Sequence, residues 1–262
     1  MMARLAYGAL LWLALPFVVA RLAWRARREP RYLEHLGERF GGAPRPVDGP
    51  VIWVHAVSVG ETRAAEPLVA VLLHDHPRAT ILLTHMTPTG RATGVEIFGD
   101  RVMRSWLPWD LGFAVRRFLD RARPAFGVLL ETEVWPNLLG ECHARDIPVF
   151  LVNARLSKRS AAGYARVAPL AREALGHLAG VAAQTLEDAR RLEALGAKDV
   201  AVTGNIKFDL AVPEDIEARG RDLRSIFGPG RRIWVVGSTR DGEESLLMEA
   251  IEEADPAPDV LV

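Results

Sequence analysis

The chain has 262 residues, 49% of them hydrophobic and 25% charged. That length allows one large domain or two small ones, and the composition excludes a disordered chain, a collagen-like chain and a polytopic membrane protein. Lys plus Arg number 33 and Asp plus Glu 33, so the basic excess usual in a nucleic-acid binder is missing and no nucleic-acid partner is expected. The zero total conceals unlike regions: residues 1–49 carry net +4, 50–207 net +3 and 208–262 net −7. The one cysteine, Cys142, cannot form an intramolecular disulfide, which fits a reducing compartment.

The first element is apolar. From Leu5 to Ala20 the sequence LAYGALLWLALPFVVA has no charge, and Leu22, Ala23 and Trp24 extend it past Arg21. A full membrane span needs about 20 apolar residues, so the segment is marginal. A signal peptide places its charges before the apolar stretch. Here only Arg4 precedes, while Arg21, Arg25, Arg27, Arg28 and Arg31 follow. That arrangement favours an uncleaved anchor, spanning or interfacial, with the downstream chain in the cytoplasm and the arginines on anionic lipid. A core helix of a soluble domain is the alternative.

After Pro30, RYLEHLGERFGG has Tyr32, Leu33, Leu36 and Phe40 at helical spacing and predicts a short amphipathic helix. Pro44 to Pro50 reads as a linker. Apolar runs at 51–55, 80–85, 102–108, 125–131, 148–154, 181–184 and 200–204 predict strands. Between them, 58–76, 88–98, 111–122, 134–146, 164–178 and 185–195 have helical patterns. The alternation implies an α/β fold, a parallel sheet with helices on both faces. The pattern breaks near residue 208. A strand and turn at 231–239, a helix at 241–254 and a strand beginning at 259 then read as the first βαβ unit of a second domain.

Ligands of open parallel sheets bind beyond the C-terminal strand ends, so the residues after each strand are the candidates. Glu61 follows the first strand, and Glu131 and Glu133 follow the fourth. A partly buried carboxylate has a raised pKa and is a better base, but a carboxylate in a first helical turn also serves as a favourable helix charge. Both readings of Glu61 stay open, and Glu133 is ambiguous beside Glu131. Lys207 follows the last strand of the first domain. It is one of only three lysines and reads either as a functional cation or as a surface residue. His55, His85 and His143 do not match a metal-ligand spacing, there is no GxSxG or P-loop, and no metal or other cofactor is expected. Gly237, Ser238 and Thr239 precede a helix and offer backbone N–H groups to a phosphate.

These loops carry a resemblance. HAVSVGET, THMTPTG, ETEVWPNL, VNARLSKRSAAGY, AAQTLEDARRLEALGA, VTGNIKFD and VGSTRDGEE occur in that order and closely resemble the 3-deoxy-D-manno-octulosonic acid (Kdo) transferases. The apolar head and RYLEHLGERFG resemble their N-terminus, so the match runs over essentially the whole chain. The resemblance implies a GT-B glycosyltransferase of lipopolysaccharide biosynthesis, on the cytoplasmic face of the bacterial inner membrane. It would transfer Kdo from CMP-Kdo to a lipid A precursor, lipid IVA, with inversion at the anomeric carbon. It implies Glu61 as general base and Glu131 and Lys207 as transition-state stabilisers. Ser58, Gly60, Thr87, Thr89 and Arg155 would lie on the acceptor side, and Gly237, Ser238 and Thr239 on the donor side. Arg240 departs from the family, which usually has His in that motif; a neutral His accepts a hydrogen bond and Arg cannot.

The expected organisation is an anchor and basic flank at 1–28, an acceptor-binding Rossmann-like domain at 29–207, a linker at 208–230 and an incomplete donor domain at 231–262. Family members continue well beyond this length and hold most nucleotide-binding motifs there, so residues 1–262 alone are expected to be inactive. Two rival readings are a non-catalytic, membrane-bound lipid-binding module and a GT-B nucleotide-sugar transferase with another acceptor.

Overall fold

The computed structural model describes residues 2–45, 49–210 and 215–262. The chain divides into two compact units, Met1–Leu210 and Ala211–Val262. In the first, the long helix α1 (Met2–Ala26) precedes two 3₁₀ turns, Pro30–Leu33 and Leu36–Phe40. Then come β1 (Val51–His55), α2 (Val59–Ala64), α3 (Glu66–Asp75), β2 (Thr80–His85), α4 (Pro88–Phe98), β3 (Met103–Trp106), α5 (Gly112–Ala122) and β4 (Pro124–Leu130). The unit ends with α6 (Pro136–His143), β5 (Val149–Ala154), α7 (Lys158–Ala165), α8 (Ala168–Leu175), β6 (Gly180–Ala183), α9 (Leu186–Ala194) and β7 (Val200–Val202).

Among the described residues, the seven strands of this unit form one sheet in the order β3-β2-β1-β4-β5-β6-β7, and every neighbouring pair is parallel. This is the doubly wound order, which reverses direction between β1 and β4 and opens a crevice there at the C-terminal strand ends. β1 runs beside β2 from Val51–Thr80 to His55–Thr84, and beside β4 from Ile52–Phe126 to His55–Leu129.

Alternation along the strands divides the core in two. Val51 and Trp53 of β1 point to one face, with Leu82, Leu129 and Leu151, beneath α5, α6, α8 and α9. Ile52 and Val54 point to the other, with Ile81, Leu83 and Leu130, beneath α2, α3 and α4. Both faces are covered, as an all-parallel sheet requires.

Several elements differ from their sequence patterns. The helix expected over RYLEHLGERFGG is two 3₁₀ turns, because His35 takes a left-handed φ of 50° between them. That break seats Arg39 in the interior, its guanidinium 4.2 Å from the centre of the Trp106 ring. The helix expected over 58–76 is α2 plus α3, divided at Ala65 just before Pro67, whose missing N–H cannot continue a helical ladder. The helix expected over 164–178 is α8, shorter at both ends, with residues 164 and 165 belonging to α7, which begins earlier at Lys158 and stops before Pro169. The segment 209–230, expected as a break, contains α10 (Ile216–Phe227). Part of each expected linker, residues 46–48 and 211–214, lies outside the described residues.

Beyond α10, the second unit holds β8 (Ile233–Trp234), α11 (Glu243–Glu253) and β9 (Val260–Leu261), with β8 and β9 parallel. No described residue of this unit is buried.

α1 is long and apolar enough to cross a membrane by length and composition. In the structure it lies against the body of the first unit. Tyr7 hydrogen-bonds Asp110, Arg4 Nε stands 3.8 Å from Glu173 Oε1, and Trp12 stacks on Phe113 at 5.4 Å between ring centres.

Candidate active site

The strand order places the loops after β1 and β4 on either side of the crevice. After His55 the chain runs through Ala56 and Val57 into α2, and Glu61 lies in the first turn of that helix. Its side chain folds back on its own loop: Oε2 accepts the Val57 N–H at 2.7 Å and Oε1 accepts the Ser58 hydroxyl at 3.0 Å. Glu61 is only 8% exposed. Burial raises its carboxyl above the usual range; the Val57 and Ser58 bonds pull it back, and nearby Glu131 raises it further. The outcome is a fixed carboxylate with more than ordinary basicity.

The floor beneath this loop is made of neutral imidazoles. His55 Nδ1 is 3.0 Å from the Thr84 carbonyl and His85 Nδ1 is 2.9 Å from that of Ala56, contacts that assign the proton to Nδ1 in each ring. Burial pushes His55 down to about 3 and His85 to about 4. Both are therefore uncharged at neutral pH.

The roof of α2 is the start of α4. Thr87 donates its hydroxyl to the Val57 carbonyl at 3.0 Å and accepts the Gly90 N–H at 3.1 Å. A Cβ at Gly90 would stand 2.9 Å from the Val57 carbonyl oxygen, so glycine permits the approach that holds the Glu61 loop down. Thr89 is exposed, with its hydroxyl 3.5 Å from that of Thr87. Nothing crowds the Cα of Gly60.

Across the crevice, β4 stops as Glu131 turns into the left-handed region at φ 61°, while its N–H still bonds the Val152 carbonyl at 2.9 Å. Glu131 Oε1 stands 4.0 Å from Lys207 Nζ. Glu133 accepts the Trp135 indole N–H at 2.9 Å. Burial first, and then Glu61, push its carboxyl up to about 7. His55 Nε2 has no hydrogen-bond partner among the described residues and faces Glu133 Oε2 at 3.9 Å.

Lys207 is held from below. Asn153, at the end of β5 with φ 54°, accepts the Ile206 N–H through Oδ1 at 3.2 Å. Asn205 accepts the Lys207 N–H at 3.1 Å. These two amides fix the 3₁₀ turn Ile206–Asp209 that carries the lysine.

The structure thus gathers Glu61, Ser58 and Thr87 on one wall and Glu131, Glu133 and Lys207 on the other. Arg155 is exposed, and its carbonyl rather than its side chain ties the β4 loop, accepting the Thr132 hydroxyl. Gly237, Ser238 and Thr239 belong to the second unit, where all three lie on an open turn. His55 and Asn153 stand at strand ends and within the motifs HAVSVGET and VNARLSKRSAAGY, but the sequence assigns neither a role in the site; an Asn near a strand end and a buried strand His look structural. Among the described residues no three His, Cys, Asp or Glu side chains cluster as metal ligands.

The family model described as 3-deoxy-D-manno-octulosonic-acid transferase (kdotransferase) matches residues 34–210. A 3-deoxy-D-manno-octulosonic acid transferase of Bordetella pertussis is 45% identical over 249 residues, 89% of this chain and 57% of the relative. One of Haemophilus influenzae is 35% identical over 253 residues, 94% of this chain and 59% of the relative. The chain therefore spans somewhat more than half the length of these relatives. Among solved structures, a UDP-GlcNAc 2-epimerase from Neisseria meningitidis superposes with a TM-score of 0.56 at 12% identity, over 81% of this chain and 65% of the other. At that identity the likeness is one of fold, the GT-B-like α/β kind.

Proposed function

The chain belongs to the 3-deoxy-D-manno-octulosonic acid transferase family, and from that premise we propose that it serves transfer of Kdo from CMP-Kdo to the lipid A precursor lipid IVA. The site of action is the cytoplasmic face of the bacterial inner membrane, in lipopolysaccharide biosynthesis. Glu61 is the general base. It takes the proton of the acceptor hydroxyl as that oxygen bonds to the Kdo anomeric carbon. The bond from this carbon to the CMP phosphate oxygen breaks, its electrons leave with CMP, and the anomeric centre inverts.

The observation that carries this reading is the setting of Glu61. It is a buried carboxylate held by two donors from its own loop, at the sheet's switch point and opposite a Glu131–Lys207 pair. A positioned base of this kind contributes on the order of 10²–10⁴ in rate. Lys207 meets the Kdo carboxylate or the leaving phosphate, Glu131 orients it, and such electrostatic contacts are worth a few kcal/mol each.

On the acceptor side, Ser58 and Thr87 act through the loop they hold, since each hydroxyl proton is already given to Glu61 or Val57. Gly60, Thr89 and Arg155 remain open to a sugar. Gly237, Ser238 and Thr239 belong to the donor side, in a domain that begins near residue 231 after a connection at 208–230. Residues 1–262 alone are expected not to turn over, because none of the described residues in the unit that carries the donor-side turn is buried.

The test is a chimera in which this chain replaces the matching part of the Bordetella pertussis relative. Labelled Kdo should pass from CMP-Kdo to lipid IVA, and Glu61→Gln should lower the rate at least a hundredfold with folding unchanged. Near-normal transfer by Glu61→Gln would remove the base assignment, and a chimera that prefers another acceptor would remove the substrate assignment. Because burial raises the Glu61 carboxyl, the acid limb of the rate profile should lie above the ordinary carboxylate range.

A further inference from the structure

α1 meets the folded body over its first half and again at its C-terminal end, while residues 16–21 between them are exposed. Arg4, Tyr7, Leu11, Leu15, Leu22 and Ala26 are partly or fully buried and follow one another at three, four or seven residues, as one helical face requires. Near the N-terminus Tyr7 bonds Asp110. The Arg4 guanidinium lies on the bare Cα of Gly140, where a Cβ would meet it at 1.5 Å. In the middle Trp12 stacks on Phe113. At the C-terminal end Arg25 donates to the Tyr32 hydroxyl, and the carbonyl of nearby Glu34 accepts the Trp106 indole N–H at 2.7 Å.

A helix of 25 residues is about 37 Å long at 1.5 Å per residue. A helix that crosses a bilayer leaves its two ends on opposite sides. This helix has both ends and its middle fastened to the same folded body, so crossing would require releasing Tyr7, Arg4 and Trp12. The opposite face is apolar and uncovered: Leu5, Leu10, Leu13 and Phe17 are all more than 60% exposed. Arg21, Arg27 and Arg28 lie exposed at its end, a rim of one sign. An apolar strip beside a cationic rim matches acyl chains beneath lipid phosphates.

We infer that α1 does not span the membrane but lies in its plane, with its outer face in the acyl layer of one leaflet and Arg21, Arg27 and Arg28 on anionic headgroups. The inference rests on the proposed membrane location and adds the orientation. The first unit rides on one leaflet, with α1 as the layer between the folded body and the lipid.

Two measurements test it on the full chain. Carrying an N-terminal epitope, the protein is examined in sealed inside-out inner-membrane vesicles. An in-plane helix leaves the epitope open to added protease; a spanning helix protects it, and protection would overturn the inference while leaving the membrane location standing. Separately, purified protein is floated with phosphatidylglycerol vesicles. Leu13→Ser with Phe17→Ser should weaken binding at least tenfold with the unfolding transition unchanged. Unaltered binding by that variant would overturn the inference. Failure of the unaltered chain to bind vesicles, or its pairing with a second copy through α1, would overturn the membrane location as well.

Discussion

Units 1 and 2 are built from the same kind of sequence, apolar runs alternating with amphipathic ones, and they end in different physical states. In the first, Trp53, Leu82, Leu129 and Phe118 are sealed between sheet and helices. In the second, Val235, Leu246 and Ile226 remain largely exposed, and β8 and β9 pair over two residues each. A parallel strand pair supplies its hydrogen bonds at once, but burial requires helices on both faces. The comparison separates two things a sequence pattern mixes: a run of apolar residues predicts a strand, and only the neighbouring elements decide whether it becomes core.

The contrast can be pressed by substitution. The largest loss is expected at Trp53, which is 0% exposed, donates its indole N–H to Thr84 Oγ1 at 2.8 Å and packs edge-on against Phe118. Trp53→Ala should destabilise the first unit by about 3–5 kcal/mol, read as the denaturant midpoint. Gly127 comes next. A Cβ there would stand 2.6 Å from the Trp53 ring, so Gly127→Ala should cost about 1–3 kcal/mol through overpacking.

A smaller effect is expected from Glu133. Its folded carboxyl is raised from 4.5 to about 7, so the folded state holds a proton that the unfolded chain has already lost. Stability is therefore full below pH 4.5, falls as pH rises toward about 7 and levels off above. After allowance for partial exposure the slope amounts to about 1–2 kcal/mol. Glu133→Gln should flatten it, and an unchanged slope would place the titration elsewhere. The smallest effect belongs to the second unit: Leu246→Ala should change stability by less than about 0.5 kcal/mol. A loss as large as that of Trp53→Ala would mean that Leu246 is core after all.

Much of the first unit was legible because its signals were local. The run VIWVH marks β1 to the residue, and Pro88 to Phe98 marks α4. What escaped depends on tertiary partners. The break at His35 goes together with the seat of Arg39 on Trp106, which lies far along the chain. The helix Ile216–Phe227 was hidden by its charge and by flanking Pro and Gly. At the site, Glu61, Glu131 and Lys207 stood out at strand ends and through the family resemblance. Glu133 did not, because two carboxylates at positions i and i+2 look equivalent until one is seen half-buried and bonded to the Trp135 indole. The structural work of Ser58 and Thr87 was invisible for the same reason: a hydroxyl in a loop does not announce its partner.

The seat of α1 has a consequence for the order of synthesis. The helix is complete at Ala26, yet Asp110, Phe113, Gly140 and Glu173, which receive it, are translated later. At about 5–20 residues per second, the interval before Asp110 appears is on the order of ten seconds. During it the face that later packs on the body is bare, and under the proposed membrane location a lipid surface would be the place to bury it. Membrane contact would then precede folding of the body, which would assemble onto a helix already lying at the bilayer.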